Sequence, residues 1–298
     1  MKKPAQQPST QLPDQAFKLY DKYAHGMLSR RDFFAAMTGL AVNAALATTF
    51  INSMLPNYAL AQQVSFNDAD IIASYQKFIA PLGHGEGRGY LVKPKTPTAA
   101  PATVLVIHEN RGLNPYIEDV ARRLAKAGFI AFAPDALTPF GGYPGTDDEG
   151  RTMQAKRDRE EMLQDFIAGY EFLKEHELCT GKVGVVGFCF GGWISNMMAV
   201  RVPDLKAAVP FYGGQPTAAD VLTIKAPLQI HYAELDTRVN EGWPAYEEAL
   251  KANKKKYEMH MYPGVNHGFH NHSTPRYDKA AADLAWGRTI DFFKKNLK

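Results

Sequence analysis

KVGVVGFCFGG, residues Lys182 to Gly192, is the stretch that decides the fold. Its first half is a run of apolar, mostly β-branched residues, which is typical of a strand buried on both faces. Its second half fits the pattern G-x-nucleophile-x-G around Cys189, in which two glycines make room for a strained turn from strand to helix. Such a turn aims the Cys189 thiol at a helix N-terminus, whose partial positive charge favours the thiolate. Taken alone, the same stretch also fits an inert, buried cysteine.

Predicted strands and helices also alternate along the chain on both sides of this turn. The segment that opens at Asn114 has an N-cap residue followed by Pro115, as helices often do. Strand, helix and strand in this order favour right-handed crossovers and a parallel sheet. We therefore predict one α/β domain with a mostly parallel, doubly wound sheet, a long helix around Arg151–His176 and a final helix at about 277–297. The predicted strands are GRGYLVKP, TVLVIHE, FIAFAPD, KVGVVGF, KAAVPFY, APLQIHYAE and YEMHMYP.

Composition excludes some functions. The 298 residues carry a formal net charge of +3, and their basic residues are scattered, so no nucleic-acid partner is predicted. The chain has two cysteines, Cys179 and Cys189. A chain of this size needs no disulfide, and both are expected to be thiols, with Cys179 in a structural role.

The N-terminal segment differs from the rest. SRRDFF at Ser29–Phe34 is followed by a weakly apolar stretch and by Ala59-Leu60-Ala61, a small-x-small cleavage pattern. This combination resembles a twin-arginine export signal. We therefore divide the chain into a signal or anchor segment, 1–61, and a catalytic domain, 62–298, and predict export to the periplasm or beyond by the export machinery. The alternative is an uncleaved helical segment, with the protein cytoplasmic or membrane-anchored.

Residues with the chemistry to serve Cys189 follow later predicted strands. Asp236 comes just after APLQIHYAE, and His267 follows YEMHMYP, in the order nucleophile, acid, histidine that α/β-hydrolases use. His267 is the predicted base, and Asp236 is predicted to hold its tautomer. In this fold the loop after the strand TVLVIH and the residue after the nucleophile supply the oxyanion hole. That predicts the backbone amides of Asn110 and Phe190 for this role.

Four separated motifs together resemble the dienelactone hydrolase family: GFCFGG, AELD, PGVNHGF and HENRGLNPYIEDVARRLAKAGFIAFAPD. The resemblance runs from about Gly87 to the C-terminus. It implies a single-domain α/β-hydrolase fold, a Cys-His-Asp triad and a glutamate, here Glu109, that holds and activates the cysteine. It also implies hydrolysis of a small lactone or activated ester through a thioester, without metal or organic cofactor.

The chain departs from the family pattern in one respect. Family members that bind a carboxylate use arginines, one of them a few residues after the catalytic histidine. Asn271 stands at the nearest position here, and Arg276 comes further on. Arg111 and Arg276 are the candidate substrate-binding residues.

Two alternatives to this function remain open at the level of sequence. A protein on the same fold could be catalytically silent and use its exposed, acidic thiol as a redox sensor. His267, His270 and His272 could instead form a metal site, although their spacing is not that of a known metal motif. The sequence gives no prediction of the oligomeric state.

Overall fold

The structure is a computed structural model, and it describes residues 14–40, 48, 51, 54, 56–58, 62–97 and 101–297. The chain forms two compact units, Met1–Pro56 and Asn57–Lys298.

In the first unit, helices α1 (Asp14–Ala24) and α2 (Arg30–Leu40) bury a small aromatic core. The rings of Tyr23 and Phe33 stack with centroids 4.6 Å apart. Ser29 accepts a hydrogen bond from the amide of Asp32, so the two arginines of the predicted signal begin a capped helix.

The predicted export signal, 1–61, extends past the end of this unit at Pro56. The proposed cleavage pattern at Ala59-Leu60-Ala61 lies outside the described residues. Within the described parts of the chain, no helix combines the length and hydropathy that crossing a membrane requires. Export and cleavage therefore stay predictions.

The second unit is built on an eight-stranded sheet with the strand order β1-β2-β4-β3-β5-β6-β7-β8. Strands β3 to β8 run parallel, whereas β2 pairs antiparallel with both β1 and β4. This confirms the predicted, mostly parallel α/β fold. The strands are β1 Ile71–Ala80, β2 Gly85–Pro94, β3 Thr103–Ile107, β4 Ile130–Pro134, β5 Val183–Phe188, β6 Ala207–Phe211, β7 Leu228–Ala233 and β8 Tyr257–Tyr262.

Helices cover both faces of this sheet, and two apolar clusters fill the spaces between the layers. Strands β3, β5 and β6 are buried along their whole length, as their continuous apolar runs predict. The helices are α3 Pro115–Lys126, α4 Asp147–Gln154, α5 Arg159–Lys174, α6 Phe190–Arg201, α7 Thr237–Asn240, α8 Trp243–Ala252 and α9 Lys279–Asn296, with short 3-10 turns at Thr138–Phe140 and Asp220–Thr223.

One helix prediction was wrong in its extent. The single long helix expected around Arg151–His176 is two helices, α4 and α5, with a break between them. At the break, Asp158 leaves the helical conformation, and its side chain accepts a hydrogen bond from the amide of Glu161 at 2.9 Å. Arg157 turns inward and donates to the carbonyl of Ala136, which holds the break against the domain.

Removing the cap at this break is expected to weaken the fold. Asp158→Ala should lower the free energy of unfolding by about 1 kcal/mol, because the amide of Glu161 loses its acceptor. Asp158→Asn should stay close to wild type, since asparagine caps a helix about as well as aspartate. Urea unfolding of the three proteins measures the difference. Equal stability of the alanine and asparagine variants would contradict the capping role.

Candidate active site

The predicted site residues follow strands that share one edge of the sheet. Glu109 and Asn110 follow β3, Cys189 follows β5, Asp236 follows β7, and His267 follows β8. All four strands belong to the parallel part of the sheet, so their carboxyl ends point the same way. The topology thus brings together residues that are far apart in the sequence, at the edge where α/β folds bind ligands.

Cys189 occupies a strained turn between β5 and α6. Its backbone angles are φ 56° and ψ −110°, a region that a residue with a side chain rarely adopts. The surrounding structure must hold such a conformation, at a cost of about 1–3 kcal/mol, and strain of this kind clusters at functional sites. The turn is therefore a nucleophile elbow in its backbone geometry.

The neighbouring glycines are sterically required for the turn. A Cβ at Gly187 would lie 2.0 Å from the carbonyl oxygen of Gly191. At Gly191 it would lie 2.4 Å from the carbonyl oxygen of Ile107, and at Gly192 it would lie 2.5 Å from that of Phe211. The motif thus packs bare backbone against the ends of the adjacent strands β3 and β6, as the G-x-C-x-G-G spacing predicts.

His267 lies between Asp236 and Cys189. Its Nδ1 is 2.5 Å from Oδ2 of Asp236, which leaves the other ring nitrogen for the thiol. The Sγ of Cys189 lies within 4.8 Å of a His267 ring nitrogen. Asp236 is itself fixed, because it caps α7 by accepting from the amide of Val239 at 3.3 Å. The three side chains are thus neighbours, and their roles as nucleophile, base and orienting acid stay predictions.

Electrostatics favour the protonated form of His267. Burial lowers the pKa of this histidine, but the charges of Asp236 and Cys189, and its hydrogen bond to Asp236, raise it more strongly. The pKa is raised to about 10 on balance. An imidazolium beside a cysteine favours the thiolate, which is the nucleophilic form.

Glu109 is buried near Cys189. Burial raises the pKa of its carboxyl group, as does the nearby Cys189, while Arg111 and Arg276 lower it. Its Oε2 accepts a hydrogen bond from Nδ2 of Asn271 at 2.8 Å. Asn271, at the position where the family pattern suggested an arginine, thus orients the glutamate that the resemblance had singled out.

The two candidate substrate-binding arginines are both buried. Arg111 is 5% exposed and pairs with Asp147, with Nη1 and Oδ2 2.5 Å apart. Arg276 is 6% exposed, and its guanidinium packs so closely on Gly268 that a Cβ there would lie 2.9 Å from Nη2. Both act on Glu109 through their charge. A role in binding substrate stays a prediction for both.

The candidate oxyanion donors leave neighbouring strands. Ile107 of β3 is paired in register with Gly187 of β5, so the loop after β3 and the start of α6 emerge side by side. Phe190 is the first residue of α6, where amide groups have no acceptor within the helix. The loop after β3 is anchored by its own amides: that of Gly112 donates to Gln154 at 2.9 Å, and that of Leu113 donates to Asp135 at 3.2 Å. The oxyanion role of Asn110 and Phe190 stays a prediction.

The other histidines of the predicted metal cluster have different surroundings from His267. Nδ1 of His270 is hydrogen-bonded to the hydroxyl of Tyr116 at 2.7 Å. Nε2 of His272 lies 3.8 Å from Oδ2 of Asp119. Among the described residues, neither takes part in a group of three or more convergent ligand atoms. Within the described part of the chain, His267, His270 and His272 therefore do not converge as the metal alternative requires.

Sequence reasoning missed two residues at the site. Asp147 is the partner of Arg111, and it is the first residue of α4, directly after a glycine- and proline-rich loop that carries no catalytic motif. Tyr212 is buried against His267, with ring centroids 4.9 Å apart, and has a positive φ of 36°. Only its place directly after the strand β6 could have pointed to it.

Comparison with known proteins gives matches over most of the chain. Residues 88–297 match the model of the dienelactone hydrolase family, and residues 4–40 match a family described as YqhI-like. A Saccharolobus solfataricus protein named "Putative carboxymethylenebutenolidase" is 30% identical over 249 residues, which cover 71% of this chain and 95% of that protein. An Escherichia coli protein named "Putative hydrolase fragment YghX" is 58% identical over 112 residues, 38% of this chain and 96% of that protein.

Among solved structures, a dienelactone hydrolase-like promiscuous phosphotriesterase from metagenomic libraries, P91, matches with a TM-score of 0.67 and 23% identity. The match covers 77% of this chain and 100% of that chain. It shows that the fold is shared.

Adding a methyl group at Gly191 is expected to disrupt the elbow. Gly191→Ala should lower the free energy of unfolding by about 1–3 kcal/mol, because its Cβ would collide with the Ile107 carbonyl. Gly287→Ala in α9 is the matched control, since no heavy atom among the described residues lies within 4 Å of its added Cβ. Urea unfolding measures the free energy of unfolding of both variants. An equal change at the two positions would contradict the close packing of Gly191 on Ile107.

The raised pKa of His267 predicts a pH dependence of stability. The folded state favours the imidazolium, so this contribution is full below the ordinary pKa of 6.5 and is lost as the pH rises through about 10. The stability of the wild type relative to His267→Gln should therefore decrease across this window, as measured by urea unfolding at several pH values. In an Asp236→Asn background the decrease should largely vanish. A difference that is constant with pH would contradict the ion pair.

Proposed function

We propose that this chain, which belongs to the dienelactone hydrolase family, is a carboxylic-ester or lactone hydrolase that uses Cys189 as its nucleophile. Family membership supports the hydrolysis of an ester or lactone. The cysteine mechanism rests on a single observation. Cys189 lies at a positive-φ elbow, with its Sγ within 4.8 Å of a ring nitrogen of His267, a buried histidine whose pKa the neighbouring Asp236 and Cys189 raise to about 10.

The first half of the proposed reaction forms a thioester. The Cys189 thiolate attacks the carbonyl carbon of the ester, and the electron pair of the C=O bond moves to oxygen. The amides of Asn110 and Phe190 stabilise this oxyanion. Collapse of the intermediate breaks the bond to the leaving oxygen, which takes a proton from the His267 imidazolium. An enol or phenol leaving group makes this step easier, because its oxyanion is weakly basic.

The second half regenerates the enzyme. Neutral His267 takes a proton from water, and the resulting hydroxide attacks the thioester carbonyl at the same oxyanion site. Collapse releases the carboxylic acid product and the Cys189 thiolate. His267 is then again an imidazolium between Asp236 and the thiolate, so no proton or electron is left over.

Glu109 is proposed to hold the resting thiol. Its carboxyl group is buried near Cys189, and burial and the Cys189 charge both raise its pKa. A carboxyl group with a raised pKa can exchange a proton with a thiol. The hydrogen bond from Asn271 fixes one carboxylate oxygen during this exchange.

The proposed substrate is a small ester or lactone, with Arg111 and Arg276 as candidates for attracting a negatively charged group on it. Both side chains are buried, and Arg111 is paired with Asp147, which reduces its attraction for an anion. A neutral activated ester is therefore the first substrate to test.

The experiment is a burst assay with 4-nitrophenyl acetate. The wild type should release about one equivalent of 4-nitrophenol per chain before steady turnover, because we expect acylation by this activated ester to be faster than hydrolysis of the thioester. Cys189→Ala should lose the burst, and Cys179→Ala, which removes the other thiol of the chain, should keep it. One equivalent of iodoacetamide near pH 7 should alkylate Cys189 and abolish activity.

Two outcomes would decide against this mechanism. A chain with neither a burst nor alkylation at Cys189 would contradict the cysteine nucleophile. A thiol that is isolated as the sulfenic or a higher acid, in a protein without turnover, would instead favour the redox-sensing alternative.

A further inference from the structure

Tyr58 is part of the second unit, although it precedes every strand of the sheet. The backbone there is tied down by the amide of Asn57, which donates to the carbonyl of Ser273 at 2.7 Å. The ring of Tyr58 packs against the apolar cluster of the domain and meets the ring of Tyr143 edge to face, with centroids 6.4 Å apart. A residue from the segment before the sheet therefore lies within the hydrolase fold.

The hydroxyl of Tyr58 makes two hydrogen bonds of opposite sense. It donates to Oδ1 of Asp147, and it accepts from Nδ2 of Asn114 at 3.0 Å. Burial, reinforced by the charge of Asp147, holds the pKa of Tyr58 well above its usual value. The hydroxyl therefore keeps its proton and stays a donor to Asp147 across the working pH range.

Asp147 links Tyr58 to Arg111, which lies next to the predicted oxyanion donor. The side chain of Asp147 is 9% exposed, and it accepts hydrogen bonds from Tyr58, from Tyr143 at 3.0 Å and from Arg111 at 2.5 Å. Arg111 directly follows Asn110, the predicted oxyanion donor. The position of Arg111, and with it that of the Asn110 amide, therefore depends on where Asp147 is held.

Asn114 is the other end of the same loop. It is the N-cap of α3, with its Oδ1 accepting from the amide of Ile117 at 3.2 Å, while its Nδ2 reaches Tyr58. The Tyr58 hydroxyl thus contacts the end of the loop directly, at Asn114. It is linked to the beginning of the loop, at Arg111, through the carboxylate of Asp147. The two connections fix both ends of the segment Asn110–Asn114.

We propose that Tyr58 is a positioning residue of the active site, which holds the loop Asn110–Asn114 so that the amide of Asn110 faces the developing oxyanion. This inference rests on the proposed function, since it assigns Tyr58 a role in that reaction. The proposed role of Tyr58 also has a consequence for cleavage of the predicted export signal. Tyr58 lies upstream of Ala59-Leu60-Ala61, so cleavage after Ala61 would remove it. The working enzyme therefore retains Tyr58.

The test compares Tyr58→Phe with wild type in the full chain, with 4-nitrophenyl acetate as substrate. We expect kcat to fall about tenfold with KM nearly unchanged, because oxyanion stabilisation acts in the transition state and not on bound substrate. Tyr257→Phe is the matched control: its hydroxyl also donates to a carboxylate, that of Glu247 at 3.1 Å, but at the amino end of β8, away from the site. It should leave kcat unchanged.

A double-mutant cycle tests whether Tyr58 acts on the loop through Asp147. Asp147→Asn should lower kcat, and Tyr58→Phe should add little to it, because both variants break the same connection. Tyr257→Phe and Asp147→Asn should be additive. Additive effects of Tyr58→Phe and Asp147→Asn would contradict the route through Asp147.

Other outcomes overturn the inference separately from the proposed function. A wild type with neither a Cys189-dependent burst nor alkylation at Cys189 contradicts the hydrolase mechanism, and the role of Tyr58 falls with it. A normal burst together with unchanged kcat in Tyr58→Phe contradicts the role of Tyr58 alone, as does a lowered melting temperature with normal kcat. An active enzyme recovered from producing cells with an intact mass that begins at Gln62 would also overturn it.

Discussion

The close approach of Gly191 to the carbonyl of Ile107 is the contact on which the site depends. It brings the turn after β5 against the end of β3 without an intervening side chain. Cys189 lies two residues before this contact in a positive-φ conformation, and α6 begins at Phe190, beside the loop after β3 that carries Asn110. The strained turn at Cys189 and the predicted oxyanion donors thus lie next to one backbone contact, which any side chain at position 191 would prevent.

Around this contact, buried charges occur in compensating sets. Asp236 and His267 form one pair, and Asp147 and Arg111 form another. Glu109 has Asn271 as a donor and lies in the field of two arginines. A buried charge without compensation would cost several kcal/mol or would be neutralised by a shift of pKa. The arrangement thus keeps each of these buried charged groups next to a compensating partner.

The sequence was informative where a local pattern has a steric or topological cause. The apolar runs predicted seven of the strands, and their order brought Cys189, Asp236, His267 and Glu109 to one edge. It failed where an element owes its structure to distant partners. Strand β1 was missed because it is a half-exposed antiparallel edge, without a continuous apolar run. Asp147 and Tyr58 have no motif, since their roles come from contacts between loops that only the folded chain brings together.

The position of His267 after the last strand has a consequence for the order of folding. Its raised pKa requires Asp236, which follows β7, and its approach to Cys189 requires β8 to be paired with β7. Until that pairing forms, Cys189 has no imidazolium beside it and behaves as an ordinary thiol. Under the proposed mechanism, nascent and partly folded chains would therefore be spared the side reactions of an activated sulfur, such as mixed disulfides and oxidation. The proposed reactivity of Cys189 would begin only when the domain is complete.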